Sequence, residues 1–363
     1  MTDLVIELAD PTAVAHARRE VVALTRPLEW NETAASNLGL AVTEAATNVL
    51  KHAGRGTMLA RRIVRDPADA VAAETPGRSF AVHGAASVVG IEVIALDQGP
   101  GIADVARSLR DGHSSAGTPG LGLGSMRRLA QRFDIWSQPG RGTVLRFEAW
   151  PDVRASAERP SDRMVQARLE VGVVCVPLPG ETACGDAWAV HATSGQHVAM
   201  VVDGLGHGPE AASAAHAARR ALALHPELPP RDQVASLHQA LRPTRGGAAS
   251  VATLDLGRET GSFCGVGNVS GVVRSPGKSR SLVSHNGTLG HQLRKVQAFD
   301  FPFPYDALLV LHSDGIATSW RFDDYPGIEA RHPALIAAVL YRDHRRSADD
   351  ATVLVARNRQ RRA

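Results

Sequence analysis

Residues 38–54 read LGLAVTEAATNVLKHAG, and this run decides how the first half of the chain is understood. Apolar residues recur at helical spacing over residues 33–52, and Gly54 supplies a stop. Glu44 and Asn48 stand four residues apart and so share one helix face, with Lys51 and His52 a further turn along. An Asn oxygen can hold a hard cation such as Mg2+, and a nearby carboxylate can orient or deprotonate a hydroxyl. A solvated helix face would show the same two residues, so the helix alone carries no function.

Working outward, residues 11–25 repeat the helical pattern, and the segments 57–65 and 88–96 (VVGIEVIAL) read as strands. Between those strands, residues 66–88 form a long polar, Ala- and Pro-rich loop. The second strand ends in LDQGPGI (96–102). There Asp97 can accept a hydrogen bond from a ligand amine, and Gly99 and Gly101 let backbone approach a planar ring. In GTPGLGLGSMRRLAQRF (117–133), Gly117, Gly120, Gly122 and Gly124 precede a helix expected at 125–133. Glycines leading into a helix N-terminus favour phosphate. The spacing matches neither a Walker A loop nor a dinucleotide fingerprint. GRGT (140–143) then precedes a strand at 143–149.

Each piece is a common turn or helix face, but their order and spacing resemble the GHKL ATP-binding family. Within it, DQGPGI, DGHSSAG, GLGLGSMRRLAQRFDI and GTVLRFEAW resemble the RsbT-like serine kinases of the anti-sigma-factor class. The resemblance covers residues 1–150 and implies a Bergerat-type α/β sandwich that binds Mg·ATP. It implies that Asn48 ligates Mg2+ and that Asp97 binds adenine. Gly99, Gly101, Gly120, Gly122 and Gly124 would shape pocket and lid, Thr143 would hold the adenine side, and Glu44 would be the general base for Ser or Thr phosphorylation. The 66–88 loop is longer than this family leads one to expect. No dimerisation helix or phospho-acceptor His box precedes the domain, which argues against a sensor histidine kinase. No transducer domain follows, which argues against a gyrase-type ATPase.

Residues 151–163, PDVRASAERPSDR, read as a linker. Beyond it the chain is strand-rich: VGVVCV, HVAMVVD, ASVATLDL, FCGVGNVSGVV and ALLVLHSDG are short apolar runs, with helices at 209–224, 231–241 and 333–341. Acidic residues recur at strand ends: Asp186 in CGDAW, Asp203 in VVDGLGHG, Asp314 in LHSDGIA, and Asp349 and Asp350 in DDAT. Any one of them is an ordinary turn residue. Four carboxylates with the Gly204 carbonyl are hard oxygen donors suited to Mg2+ or Mn2+. Two such ions can activate water and stabilise a transferring phosphoryl group.

GETACGDAW, VVDGLGHGPEAA, TRGGAASVATLD, VGNVSGVV, HNGTLG, LHSDGIA and DDAT together resemble the metal-dependent PPM phosphatases, in their RsbX/SpoIIE-like branch. The resemblance covers residues 164–357, leaves 358–363 as a basic tail, and implies an α-β-β-α sandwich holding two Mn2+ or Mg2+. Asp203 would bridge both metals and act in catalysis, Gly204 would add its carbonyl, and Asp186, Asp314 and Asp349 would complete the sites. Asp349 is preferred to Asp350 because the family places its ligand first in the D-[DN]-x-T run. The family's phosphate-gripping Arg has no clear equivalent, and His207 reads as shaping its loop.

Composition narrows the classes. At about 150 residues per domain, 363 residues make two domains. Lys plus Arg number 40 against 37 Asp plus Glu, a difference of +3, and aromatics are 4%. Neither suits a nucleic-acid binder. The cysteines Cys175, Cys184 and Cys264 are odd in number and lack C-x-x-C spacing, which fits a reducing cytoplasm. No signal peptide or membrane span is expected. The expected protein is a bifunctional cytoplasmic signalling enzyme, kinase and phosphatase for a STAS-domain substrate in partner switching, with a sigma factor or stressosome scaffold nearby and a homodimer possible. Two alternatives share these residues. The ATP-binding domain would only dock partners for the phosphatase, or the chain would sequester a sigma factor.

Overall fold

The long helix expected at 33–52 runs Glu32–Ala53 and is capped at both ends. Asn31 Oδ1 accepts from the Ala34 N–H at 2.8 Å, and Gly54 leaves the helix at φ 74°. Glu32 in the first turn and Lys51 and His52 in the last complement the helix dipole. The computed structural model describes residues 2–28, 30–64, 81–82, 85–86, 88–109, 122–151, 169–293 and 295–359. The 151–163 linker beyond residue 151, most of the 66–88 loop, Gly117, Gly120 and the end of the basic tail lie outside the described residues.

Two compact units are present, each α/β. One comprises residues 3–163 together with 321–342; the other comprises 164–320 and 343–363 with the first two residues. The first unit begins β1 (Leu4–Leu8), α1 (Thr12–Ala23), α2 (Glu32–Ala53) and β2 (Gly56–Val64). A short hairpin, β3 (Ala81–Val82) and β4 (Ala85–Ala86), and β5 (Val89–Asp97) follow. Then come α3 (Val105–Ser108), α4 (Leu123–Leu129), β6 (Arg132–Gln138) and β7 (Gly142–Ala149). The sheet runs β1-β2-β5-β7-β6 and is antiparallel throughout.

Side-chain alternation gives that sheet two unlike faces. Val93, Ala95, Met58, Leu145 and Phe147 pack with Val42, Ala45, Ala46 and Val49 of α2 in one apolar core. The opposite face carries Arg61, Glu92, Arg146 and Glu148, all buried. Register sets Arg61 opposite Glu92 and Glu92 opposite Glu148. Arg61 and Arg146 both pair with Glu92, Arg146 also pairs with Glu148, and Asp3 lies 3.8 Å from Arg61.

The second unit begins β8 (Leu169–Val176), β9 (Asp186–Ala192), β10 (His197–Gly204), α5 (Pro209–Leu224), α6 (Pro230–Leu241), β11 (Gly247–Asp255) and β12 (Thr260–Val266). It continues with β13 (Ser270–Ser275), β14 (Lys278–Leu282), β15 (Ser284–His285), β16 (Gly287–Thr288), β17 (Gln292–Leu293), β18 (Phe299–Pro302) and β19 (Leu308–His312). In the sequence α7 (Pro333–His344) follows, then β20 (Ala351–Asn358). One sheet runs β15-β12-β11-β10-β9, with β18 also on β12; the other runs β14-β13-β19-β20-β8. Val201, Ala252, Phe263, Leu309 and Leu354 meet between the sheets. The neighbours of Val201 point the other way: Met200 and Val202 pack with Ala214, Ala218, Val234 and Leu237 of α5 and α6. Helix α7 is buried on every face from Pro333 to Arg342, as its near-continuous apolar sequence requires.

Three sequence expectations change. The helix expected at 125–133 starts at Leu123 and stops at Leu129, and residues 132–138 are strand. The run FCGVGNVSGVV is two strands, broken after Val266 where Gly267 takes φ 88°. Strands β1 and β9 add to those expected. No helix among the described residues is long and apolar enough to cross a membrane.

Candidate active sites

In the first unit the candidate residues come from three elements. Helix α2 carries Glu44 and Asn48, each half-buried and neither with a hydrogen-bond or ion-pair partner among the described residues. Burial raises the Glu44 carboxyl above its ordinary value, toward the range where it can take a proton. Strand β5 ends at Asp97. Its Oδ1 accepts from the Gly99 N–H at 2.8 Å and the Thr143 N–H at 3.2 Å, while Oδ2 has no partner among the described residues. Burial pushes the Asp97 carboxyl up, opposed by these two N–H groups and by the charge of Arg342. Gly142 can only be glycine, since it sits at φ 81° and a Cβ there would lie 2.1 Å from the Asp97 carbonyl oxygen.

Thr143 Oγ1 meets Ser137 Oγ at 2.9 Å, and Ser137 in turn accepts from the Ile102 N–H at 2.8 Å. Ser137 thereby ties the Gly99–Gly101 turn to β7. The sequence reading missed it because residues 134–138, between the expected helix and strand, were assigned to no element. Gly122 precedes α4 and Gly124 lies inside it; Gly120 falls outside the described residues. An open carboxylate oxygen beside a glycine turn, with an unpartnered Asn and Glu on the neighbouring helix, fits an adenine nucleotide with its cation.

In the second unit Asp186 opens β9 and Asp203 nearly ends β10, directly opposite each other in register. Asp314 follows β19, and Asp349 precedes β20. Asp314 neighbours both Asp203 and Asp349 and raises both carboxyls, and Asn268 Nδ2 donates to Asp314 Oδ2 at 2.5 Å. Burial and the neighbouring acids push Asp186 up to about 7 and Asp203 up to about 9. Gly204 has no room for a side chain, since a Cβ would lie 2.3 Å from the Ala211 carbonyl oxygen.

Asp350 has a different task from Asp349. Its Oδ1 accepts from the Leu178 N–H at 2.7 Å and its Oδ2 from the Gly185 N–H at 2.8 Å, so both oxygens are committed to the loop that delivers Asp186. Ser313 donates to Asp186 Oδ2 at 2.6 Å and accepts from the Thr352 N–H at 3.0 Å, tying the Asp314 loop to Asp186. Sequence patterns do not single out Ser313 or Asn268, because a Ser before an Asp and an Asn after a Gly are ordinary turn chemistry. His207 is held by Glu181 at 2.8 Å, as a residue shaping its loop would be. Cys175 and Cys184 are buried with sulfurs 3.9 Å apart, and the Cys175 contact and burial push the Cys184 thiol up, which makes it unreactive.

Among the described residues, no three His, Cys, Asp or Glu side chains close on a single ion position. The donors are nonetheless all acidic oxygens. The repulsion that lifts Asp186 and Asp203 is what divalent cations would relieve, so the residues fit hard divalent ions.

Both halves of the chain match known families. Residues 8–149 match the histidine kinase-like ATPase domain family, and residues 193–359 match the stage II sporulation protein E (SpoIIE) family. The serine/threonine-protein kinase RsbT of Bacillus subtilis (strain 168) is 32% identical over 133 residues, 34% of this chain and 90% of RsbT. The phosphoserine phosphatase RsbX of the same organism is 25% identical over 138 residues, 38% of this chain and 69% of RsbX. A solved structure of RsbX with magnesium is 21% identical with a TM-score of 0.45, covering 52% of this chain and 94% of that one. An ATPase-like domain and a PPM-type phosphatase domain imply ATP and a divalent metal. The chain thus belongs to the RsbT-related family of histidine kinase-like ATPases and carries a SpoIIE-type phosphatase domain in the same polypeptide.

Proposed function

We propose that this chain both adds and removes phosphate on Ser or Thr of STAS-domain proteins, in partner switching of the stressosome or anti-sigma-antagonist kind. The observation that carries the reading is the presence of two separate constellations of suitable side chains in one chain. Glu44, Asn48 and Asp97 form one, and the Asp186, Asp203, Asp314 and Asp349 carboxylates form the other.

Phosphoryl transfer depends mainly on positioning and charge stabilisation. In the kinase half, Asp97 receives the adenine amine, the Gly99–Gly101 turn and Thr143 hold the ring, and Gly122 and Gly124 lead into the helix that faces the phosphates. Asn48 holds Mg2+, and Glu44, its pKa raised by burial, takes the proton of the attacking hydroxyl. In the phosphatase half, Asp203, the Gly204 carbonyl, Asp186, Asp314 and Asp349 hold two Mn2+ or Mg2+. Such ions supply a nucleophile at neutral pH and charge to stabilise the departing phosphate. Ser313 and Asp350 keep Asp186 and its loop in place. The site is cytoplasmic, where both ATP and STAS proteins are at hand.

The test is the intact mass of STAS proteins encoded beside the gene, first with Mg·ATP and then with Mn2+ after ATP removal. The expected result is a gain of one phosphate that Glu44→Ala abolishes. Wild type then removes it in Mn2+ and Asp203→Ala does not. No phosphate on any candidate, with Mn2+-dependent loss from a pre-phosphorylated one, would overturn the kinase half and leave the ATP-binding unit as a docking module.

A further inference from the structure

Residues 321–342 lie between Asp314 and Asp349 in sequence, inside the stretch that matches the SpoIIE family, yet they belong to the nucleotide unit. Several contacts fasten them to β6. The His332 N–H donates to Asp134 Oδ2 at 2.8 Å, and Arg331 pairs with Asp134 at 3.3 Å. Trp136 Nε1 donates to the Pro326 carbonyl at 3.1 Å, and Tyr325 meets the Trp136 ring edge-on at 5.8 Å. Arg342 reaches furthest. The residue is 8% exposed, and its guanidinium lies 5.7 Å from the Trp136 ring centroid and donates to the backbone carbonyl of Asp97 at 3.0 Å.

We propose that Arg342 is a positioning residue for nucleotide recognition: it fixes the backbone of Asp97 and so holds that carboxylate where the 6-amino group of adenine meets it. The proposal rests on the reading of Asp97 as the adenine residue. Asp97 is the last residue of β5, where the ladder ends and the chain turns into Gln98 and Gly99. Its Oδ1 is taken by two backbone N–H groups, so the direction of Oδ2 follows the backbone. A charged, planar donor stacked on Trp136 fixes that backbone carbonyl more firmly than water or a flexible lysine would. The same positive charge counters the burial that pushes the Asp97 carboxyl up, and with Oδ1 taken only the ionised carboxylate keeps Oδ2 a pure acceptor for the amine.

The proposal makes a selectivity claim that a merely structural role does not. Inosine diphosphate carries a carbonyl where adenosine diphosphate carries the 6-amino group, so it gains nothing from a well-placed carboxylate. The experiment is calorimetric binding of both nucleotides, with Mg2+, to the full-length chain. Wild type prefers the adenine nucleotide. Arg342→Ala loses about tenfold in its affinity for adenosine diphosphate and leaves that for inosine diphosphate unchanged, so the preference collapses. Arg342→Lys keeps the charge but not the fork, recovers part of the preference, and serves alone should Arg342→Ala fail to fold. Retention of the full preference in both variants, or an equal loss for both nucleotides, overturns the proposal. A wild type that binds neither nucleotide, or an Asp97→Ala variant that binds adenosine diphosphate as wild type does, overturns the underlying reading and the proposal with it.

Discussion

Gathering acids without a cation has a cost that is visible at Asp203. Its carboxyl is raised from an ordinary 3.8 to about 9, by burial first and by Asp186, Asp314 and Asp349 next. A carboxyl whose pKa is raised by folding favours the native state only while protonated. The metal-free protein therefore loses stability as pH rises from about 4 through about 9. Asp203→Asn removes that charge. It is expected to raise the melting temperature of the metal-free protein at pH 8, by about 2–4 °C for each kcal/mol relieved, and to abolish Mn2+ binding. In wild type, Mn2+ must displace these protons, so its affinity is expected to climb between pH 6 and 9. Calorimetry in buffers of different ionisation heat would count the protons released, and a flat pH profile would contradict the assignment. At this scale the sequence singled these acids out because each ends or begins an apolar run. It could not show that Asp350 serves the backbone and Asp349 faces Asp314, since neighbouring carboxylates differ only in which way the chain turns them. Ser313, Asn268 and Ser137 were hidden because their partners Asp186, Asp314 and Ile102 are distant in sequence.

The elements of the nucleotide unit are held by a sheet whose second face is charged and buried. Burial alone would push Glu92 up, but Arg146 and Arg61 outweigh it and hold the carboxyl at about 2. A depressed carboxylate contributes stability that is present above its unfolded value, near 4.5, and is lost as pH falls through about 2. Glu92→Gln leaves Arg61 and Arg146 without their shared partner and is expected to cost about 3 kcal/mol at pH 7. Denaturant melts of both proteins from pH 7 down to 2 would show that difference shrinking below pH 4.5. This face was legible in part. Glu92, Arg146 and Glu148 alternate with apolar neighbours, as a two-faced strand requires. Strand β6 was not legible, because Leu129, Ala130 and Phe133 extend the helical spacing past the true end of α4. What stops the helix there is pairing with β7, a long-range contact that no local pattern records.

For the whole molecule, the pairing of an ATPase-like domain with a phosphatase domain was legible from motif order, while the interleaving of the units was not. Nothing in the apolar run of α7 says which unit will bury it. The consequence for dissection is direct. A fragment of residues 1–163 lacks the partners of Trp136 and Asp134, which are Pro326, Tyr325, Arg331 and His332. It is expected to lose about 2 kcal/mol or more and to bind a hydrophobic dye that the full chain does not. A fragment that melts like the full-length first transition would show that the segment adds nothing to the unit.

The same interleaving imposes an order on biosynthesis. A unit built from residues 3–163 and 321–342 cannot close until its last helix has left the ribosome. At about 5–20 residues per second, the nascent chain waits about 10–40 s between finishing β7 and acquiring Arg342. Through that interval β6 presents an indole and an unpaired acid to the cell, and chaperone demand should peak before release rather than after the first domain emerges.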